Sequence, residues 1–119
     1  MIALEAEMTA DSPSDAHKTA TVDMRMGLGE VVNVRLQVTP SSASDDLTGA
    51  VFSVDMSCFS EDDIDADTWV RDVATVAGAG VSALVDTRGY QRARVRLATA
   101  ATGPGVNTAY LALVASTAI

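Results

Sequence analysis

Val32-Asn33-Val34-Arg35-Leu36-Gln37-Val38 alternates apolar and polar side chains without a break. A period of two places Val32, Val34, Leu36 and Val38 on one side of an extended chain and Asn33, Arg35 and Gln37 on the other. One side is buried and the other faces solvent, so the stretch predicts a strand of a sheet covered on one face. Gly27-Leu28-Gly29 breaks the chain before it, and Pro40-Ser41-Ser42-Ala43-Ser44-Asp45-Asp46 ends it as a loop.

The same period recurs outward from this stretch. Val22, Met24 and Met26 alternate with Asp23 and Arg25. From Ala50 to Cys58, Phe52, Val54, Met56 and Cys58 share a face against Ser53, Asp55 and Ser57. Arg94-Val95-Arg96-Leu97-Ala98-Thr99 alternates again, and a segment from Ala109 to Ala115, apolar on both faces, predicts a central strand. Near the start, Ile2, Leu4, Ala6 and Met8 alternate with Ala3, Glu5 and Glu7, which fits an extended arm or an edge strand. Residues 68–76 read as a strand from their β-branched content. A helix competes there: Ser60 with Asp63 resembles a capping box, Trp69, Val73 and Val76 fit one helical face, and Gly78 could follow its end. About 6–8 antiparallel strands separated by Gly, Pro and Ser breaks predict an all-β chain, a β-sandwich or jelly roll. Its 119 residues form one domain, with residues 1–18 as an N-terminal arm and loop.

Composition narrows the function classes. Apolar residues make up 48% of the chain but aromatics only 4%, so Ala, Val, Leu and Met must fill the core. A net charge of −8 disfavours nucleic-acid and membrane-surface partners. Lys18 is the only lysine among eight basic residues, and arginine suits planar, bidentate contacts. A G+C-rich coding sequence also favours Arg and Ala. The opening residues lack the basic start and long apolar run of a signal peptide, and no apolar run reaches membrane-spanning length. Synthesis and assembly in a cytoplasm is the expectation.

No catalytic constellation emerges, so the chain reads as a non-enzyme without a cofactor. His17 is the only histidine and no G-x-S-x-G accompanies it. Cys58, the only cysteine, ends an apolar strand face beside Glu61, Asp62 and Asp63, which predicts a buried, inert thiol. Asp63, Asp65 and Asp67 alternate in an acidic run that lacks the Gly and closing Glu of an EF-hand, so no metal site is expected. The basic residues cluster instead. Arg88, Arg92, Arg94 and Arg96 fall within nine positions, and Arg92, Arg94 and Arg96 share a strand face. That face has two readings: a solvated face with acidic cross-strand partners, or a docking stripe for an acidic protein surface.

The segment from Arg94 through Thr102-Gly103-Pro104-Gly105 to Ala109 resembles the closing hairpin of the small capsid cement, or decoration, proteins of tailed bacteriophages. The comparable length, the apolar Met1 to Leu4, the Gly27-Leu28-Gly29 turn before a valine-rich strand and the Ser60-Glu61-Asp62-Asp63 loop are similar too. The resemblance implies a jelly roll that forms a homotrimer on the outer surface of a virion. There it would bridge subunits of the major capsid protein and stabilise the shell. The expected contacts to capsid or sister subunits are Met1, Ile2, Leu4, Arg88, Arg92, Arg94 and Arg96. A carbohydrate- or receptor-binding module of a fibre or spike is the alternative, weakened by the scarcity of aromatics beyond Trp69, Tyr90 and Tyr110.

Overall fold

In the computed structural model, which describes residues 2–11, 19–23, 31–59 and 69–117, the deciding stretch lies within strand β3 (Val31–Pro40). Around it run β1 (Ile2–Thr9), β2 (Thr19–Asp23), β4 (Val51–Ser57), β5 (Val70–Ala77), β6 (Gly80–Val81), β7 (Val85–Asp86), β8 (Arg92–Thr99) and β9 (Thr108–Thr117). No helix occurs among the described residues. Residues 70–77 are therefore strand and not the competing helix; residues 24–30 and 60–68 lie outside the described residues.

All pairings are antiparallel and nested. β1 pairs with β9, β2 with β8, β3 with β6 and β7, and β4 with β5. Two further pairings, β3 with β9 and β4 with β8, complete two sheets in the orders β1-β9-β3-β6 and β2-β8-β4-β5. β6 and β7 both hydrogen-bond to β3 and act as one interrupted edge strand. The chain is an all-β sandwich, and the nested order is compatible with a jelly roll.

Between the sheets lies one core. The first sheet supplies Met8, Val34, Leu36, Val38, Ala109, Leu111 and Leu113; the second supplies Phe52, Val54, Met56, Val95 and Leu97. Apart from Met8, which retains 4%, all of these are fully buried, worth about 1.5–3 kcal/mol for each large side chain. One detail departs from strict alternation. A register shift between Val31 and Asn33 inserts an extra residue in β3. Val31 is buried in consequence, and Val32, expected in the core, is only partly covered.

Two further expectations are corrected. β4 stops at Ser57, so Cys58 leaves the alternating phase and its side chain is exposed, not buried. Residues 2–9 form edge strand β1 instead of an arm, because seven of them pair with β9, and Leu4 packs against the core.

At one end of the sandwich the loops are tied together. Ala10 donates to the Asn107 carbonyl at 2.8 Å, and Ala101 donates to the Ala10 carbonyl at 2.7 Å. Asp45 accepts from the Thr108 amide at 2.9 Å, the main reason its carboxyl lies below the ordinary value. Gly49 adopts a φ of +82°, where an added Cβ would stand 2.7 Å from Thr102 Cγ2.

Candidate functional site

The outward faces of the two sheets differ in chemistry. On the second sheet, Ser53, Asp55 and Ser57 point away from the core, yet all three are buried. What covers Asp55 is the arginine row of β8. Arg94 lies cross-strand from Asp55, Arg96 from Ser53 and Arg92 from Ser57. Asp55 Oδ2 accepts from Arg94 Nε and Arg96 Nε, each at 2.8 Å. Its Oδ1 accepts from Ser53 Oγ at 2.8 Å, the Asp72 amide at 3.0 Å and Arg96 Nη2 at 3.3 Å. Trp69 closes the cluster from above, with Arg94 Cζ 4.4 Å from its ring centroid.

The backbone of β5 is shaped to this cluster. Val54 pairs with Ala74 and Met56 with Val70, so Asp55 alone faces three residues of β5. The bulge turns Asp72 to a φ of 58°, aiming its amide at Asp55. The Asp72 carboxylate in turn accepts from Arg96 Nη2 at 3.1 Å. Burial raises the pKa of Asp55, but Arg96, the Asp72 amide, Arg94 and Ser53 together outweigh it and hold the carboxyl at about 2. Arg96 is correspondingly pushed above its ordinary value, chiefly by its hydrogen bond to Asp55.

The expected residues are thus divided. Arg92, Arg94 and Arg96 do share a face, but Asp55 lies cross-strand from Arg94 and accepts from both Arg94 and Arg96, so the first of the two readings describes those two. Arg92 is buried, and the side chains of Arg94 and Arg96 retain only 12% and 19% exposure. Arg88 stands apart, exposed in the turn after β7, where its Nε and Nη2 bind the two oxygens of Asp86. Ile2 and Leu4 belong to β1, and Met1, His17 and the run Asp63, Asp65, Asp67 lie outside the described residues. Among the described residues no group of three or more His, Cys, Asp or Glu side chains could hold a metal ion.

The sequence reading missed the other face. On the first sheet, β9 presents Tyr110 and Val114 outward, each 39% exposed, although β9 is central in its sheet. Val81 on β6 and Leu84 in the β6–β7 link are 55% and 56% exposed. An open hollow of about 380 Å³ continues this strip, lined by Val32, Asn33, Leu84, Asp86 and Arg88. Strand β1 borders the face with exposed Glu5 and Glu7, and exposed Arg35 on β3 stands inside it, between β9 and the edge formed by β6 and β7.

These features define a class: an antiparallel β-sandwich with an Asp55, Arg94 and Arg96 cluster paired within one outer face and apolar side chains of β9 and β6 in solvent on the other. No family model matches the chain, and no curated protein or solved structure matches it.

Proposed function

We propose that this chain is a structural, non-enzymatic decoration protein that attaches to the outer surface of a phage capsid and braces its major capsid subunits. The carrying observation is the inequality of the two outer faces. Arginines such as Arg94 and Arg96, consumed by Asp55 within the subunit, offer little to a partner. A face with Tyr110, Val114, Val81 and Leu84 in solvent is completed by contact with another protein surface. Such a role needs no chemistry, only modest contacts repeated over a lattice, and multivalent attachment multiplies them. The resemblance of the segment around Thr102-Gly103-Pro104-Gly105 to the closing hairpin of cement proteins supports the same reading.

The test is co-sedimentation of the purified chain with undecorated shells of the phage that encodes it. Saturable binding, with a rise in the shell's unfolding temperature, supports the proposal. Recovery of the protein entirely in the supernatant at micromolar concentration removes it.

A further inference from the structure

The hollow beside β7 contains an unmet hydrogen bond. Asn33 on β3 and Asp86 on β7 are cross-strand neighbours, and both line it. The Oδ1 atom of Asn33 is buried and accepts no hydrogen bond among the described residues. A buried acceptor is costly to hold away from water unless a donor meets it. Asp86 is engaged with Arg88: its Oδ1 accepts from the Arg88 amide and Nε, each at 3.0 Å, and its Oδ2 from Nη2 at 2.9 Å. Val32 and Leu84 supply apolar walls, and Leu84 is largely in solvent.

We infer that this hollow receives a tyrosine side chain carried by a partner protein, its ring against Val32 and Leu84 and its hydroxyl donating to Asn33 Oδ1. This rests on reading the open face as a protein-contact surface. Apolar walls call for an apolar body, and the buried acceptor calls for a donor at its tip. Lysine and arginine also join a stem to donors. Asp86 is already committed to Arg88, however, and exposed Arg35 stands on the same face as Asn33. Asp86, Arg88 and Arg35 together leave one positive charge, which repels a further cation. Serine and threonine bring a donor with little apolar surface, and phenylalanine brings surface with no donor. An indole N–H only donates, whereas a phenol hydroxyl donates to Asn33 and still accepts from a guanidinium at the rim. Arg88, fixed by Asp86, also offers a cation to the face of the ring. A tyrosine seated in a pocket is a common anchor of protein interfaces, and a chain with only 4% aromatics leaves its partner to supply it.

The test is an NMR titration of the isotope-labelled full chain, without shells, with N-acetyl-tyrosinamide. Resonances of the Asn33 side-chain amide and of the Val32 and Leu84 methyl groups should shift together, with a dissociation constant of about a millimolar. N-acetyl-phenylalaninamide, which differs only by the hydroxyl, should bind at least about fivefold more weakly because Asn33 Oδ1 then stays unpaired. Asn33→Leu should erase the difference between the two probes, and Leu84→Ser should weaken both. Circular dichroism and the unfolding temperature verify that each variant is folded. Resonances at the hollow that stay still up to about 20 mM probe overturn the inference, as does a phenylalanine or tryptophan analogue that binds as tightly as the tyrosine one. No shell takes part, so this outcome stands apart from co-sedimentation: a chain that binds shells but not the probe keeps the capsid reading and loses the tyrosine anchor.

Discussion

Replacing Asp55 by Asn should cost about 3 kcal/mol of folding stability, the lower end of the range for breaking a buried ion pair. The amide keeps the size of the carboxylate but not its acceptors. Its oxygen can still take the Ser53 hydroxyl and the Asp72 amide, while its NH₂ is left facing Arg94 Nε and Arg96 Nε, donor against donor. A separate estimate comes from the carboxyl itself. A pKa lowered from 3.8 to about 2 corresponds to about 2 kcal/mol, an upper bound because Arg94 and Arg96 keep some solvent contact. The folded-state value is the depressed one, so this contribution is complete above about pH 4 and vanishes as the pH falls through about 2. Urea unfolding followed by circular dichroism should show the loss at pH 7, with a thermal midpoint about 10 °C lower. The gap between wild type and variant should narrow from pH 4 toward pH 2. Emission of Trp69, the only tryptophan, should change as Arg94 is released from its ring. A variant within about 0.5 kcal/mol of wild type at pH 7, or a gap independent of pH, would refute the view that Asp55 holds this face together.

Other positions give sharper local tests. At Asp72, whose φ is 58°, Val should cost at least about 1 kcal/mol more than Gly in denaturant titrations, because both remove the carboxylate and only Val resists the left-handed backbone. Gly49→Ala should destabilise by about 1–2 kcal/mol, and a Thr102→Ala background should relieve only the part due to the close Cβ contact, leaving the cost of the positive φ. Ser82→Ala removes the hydroxyl that accepts from the Leu36 amide at 3.0 Å; it should cost about 1–2 kcal/mol and accelerate hydrogen exchange at Leu36.

Much of this fold was legible because a strand with one covered face writes its period into the sequence. Val34, Leu36 and Val38 are buried as the alternation requires. Where pairing is irregular, the period misleads: the bulge at Val31–Asn33 exchanges the expected Val32 for Val31. Strand ends mislead in the same way, since Cys58 continues the phase of Phe52, Val54 and Met56 in sequence but lies beyond the last paired residue of β4. The outer cluster was half visible. That Arg92, Arg94 and Arg96 share a face follows from spacing, but alternation only says that Ser53, Asp55 and Ser57 point outward. It cannot say that outward is still covered. The available signal was size: short Ser-Asp-Ser side chains leave room that arginines on a neighbouring strand can fill, and three guanidinium groups in a row require a counter-charge. The apolar residues on both sides of β9 predicted a central strand, which it is, but a central place fixes only which strands flank it and leaves Tyr110 and Val114 exposed.

The nested pairing has a consequence for how the molecule is made. Strand β9 is the last described strand in chain order, yet it fills the slot between β1 and β3. Until it arrives, β1 has no neighbour within its own sheet and β3 has one bare edge, both carrying apolar side chains destined for the core. The first sheet therefore cannot assemble in the order in which a ribosome delivers it. Closing so long a loop before any contact rewards it makes folding slow, and it makes the waiting edges the hazard. Slow refolding, and aggregation of fragments that stop short of Thr108, belong to this topology as much as its final stability does.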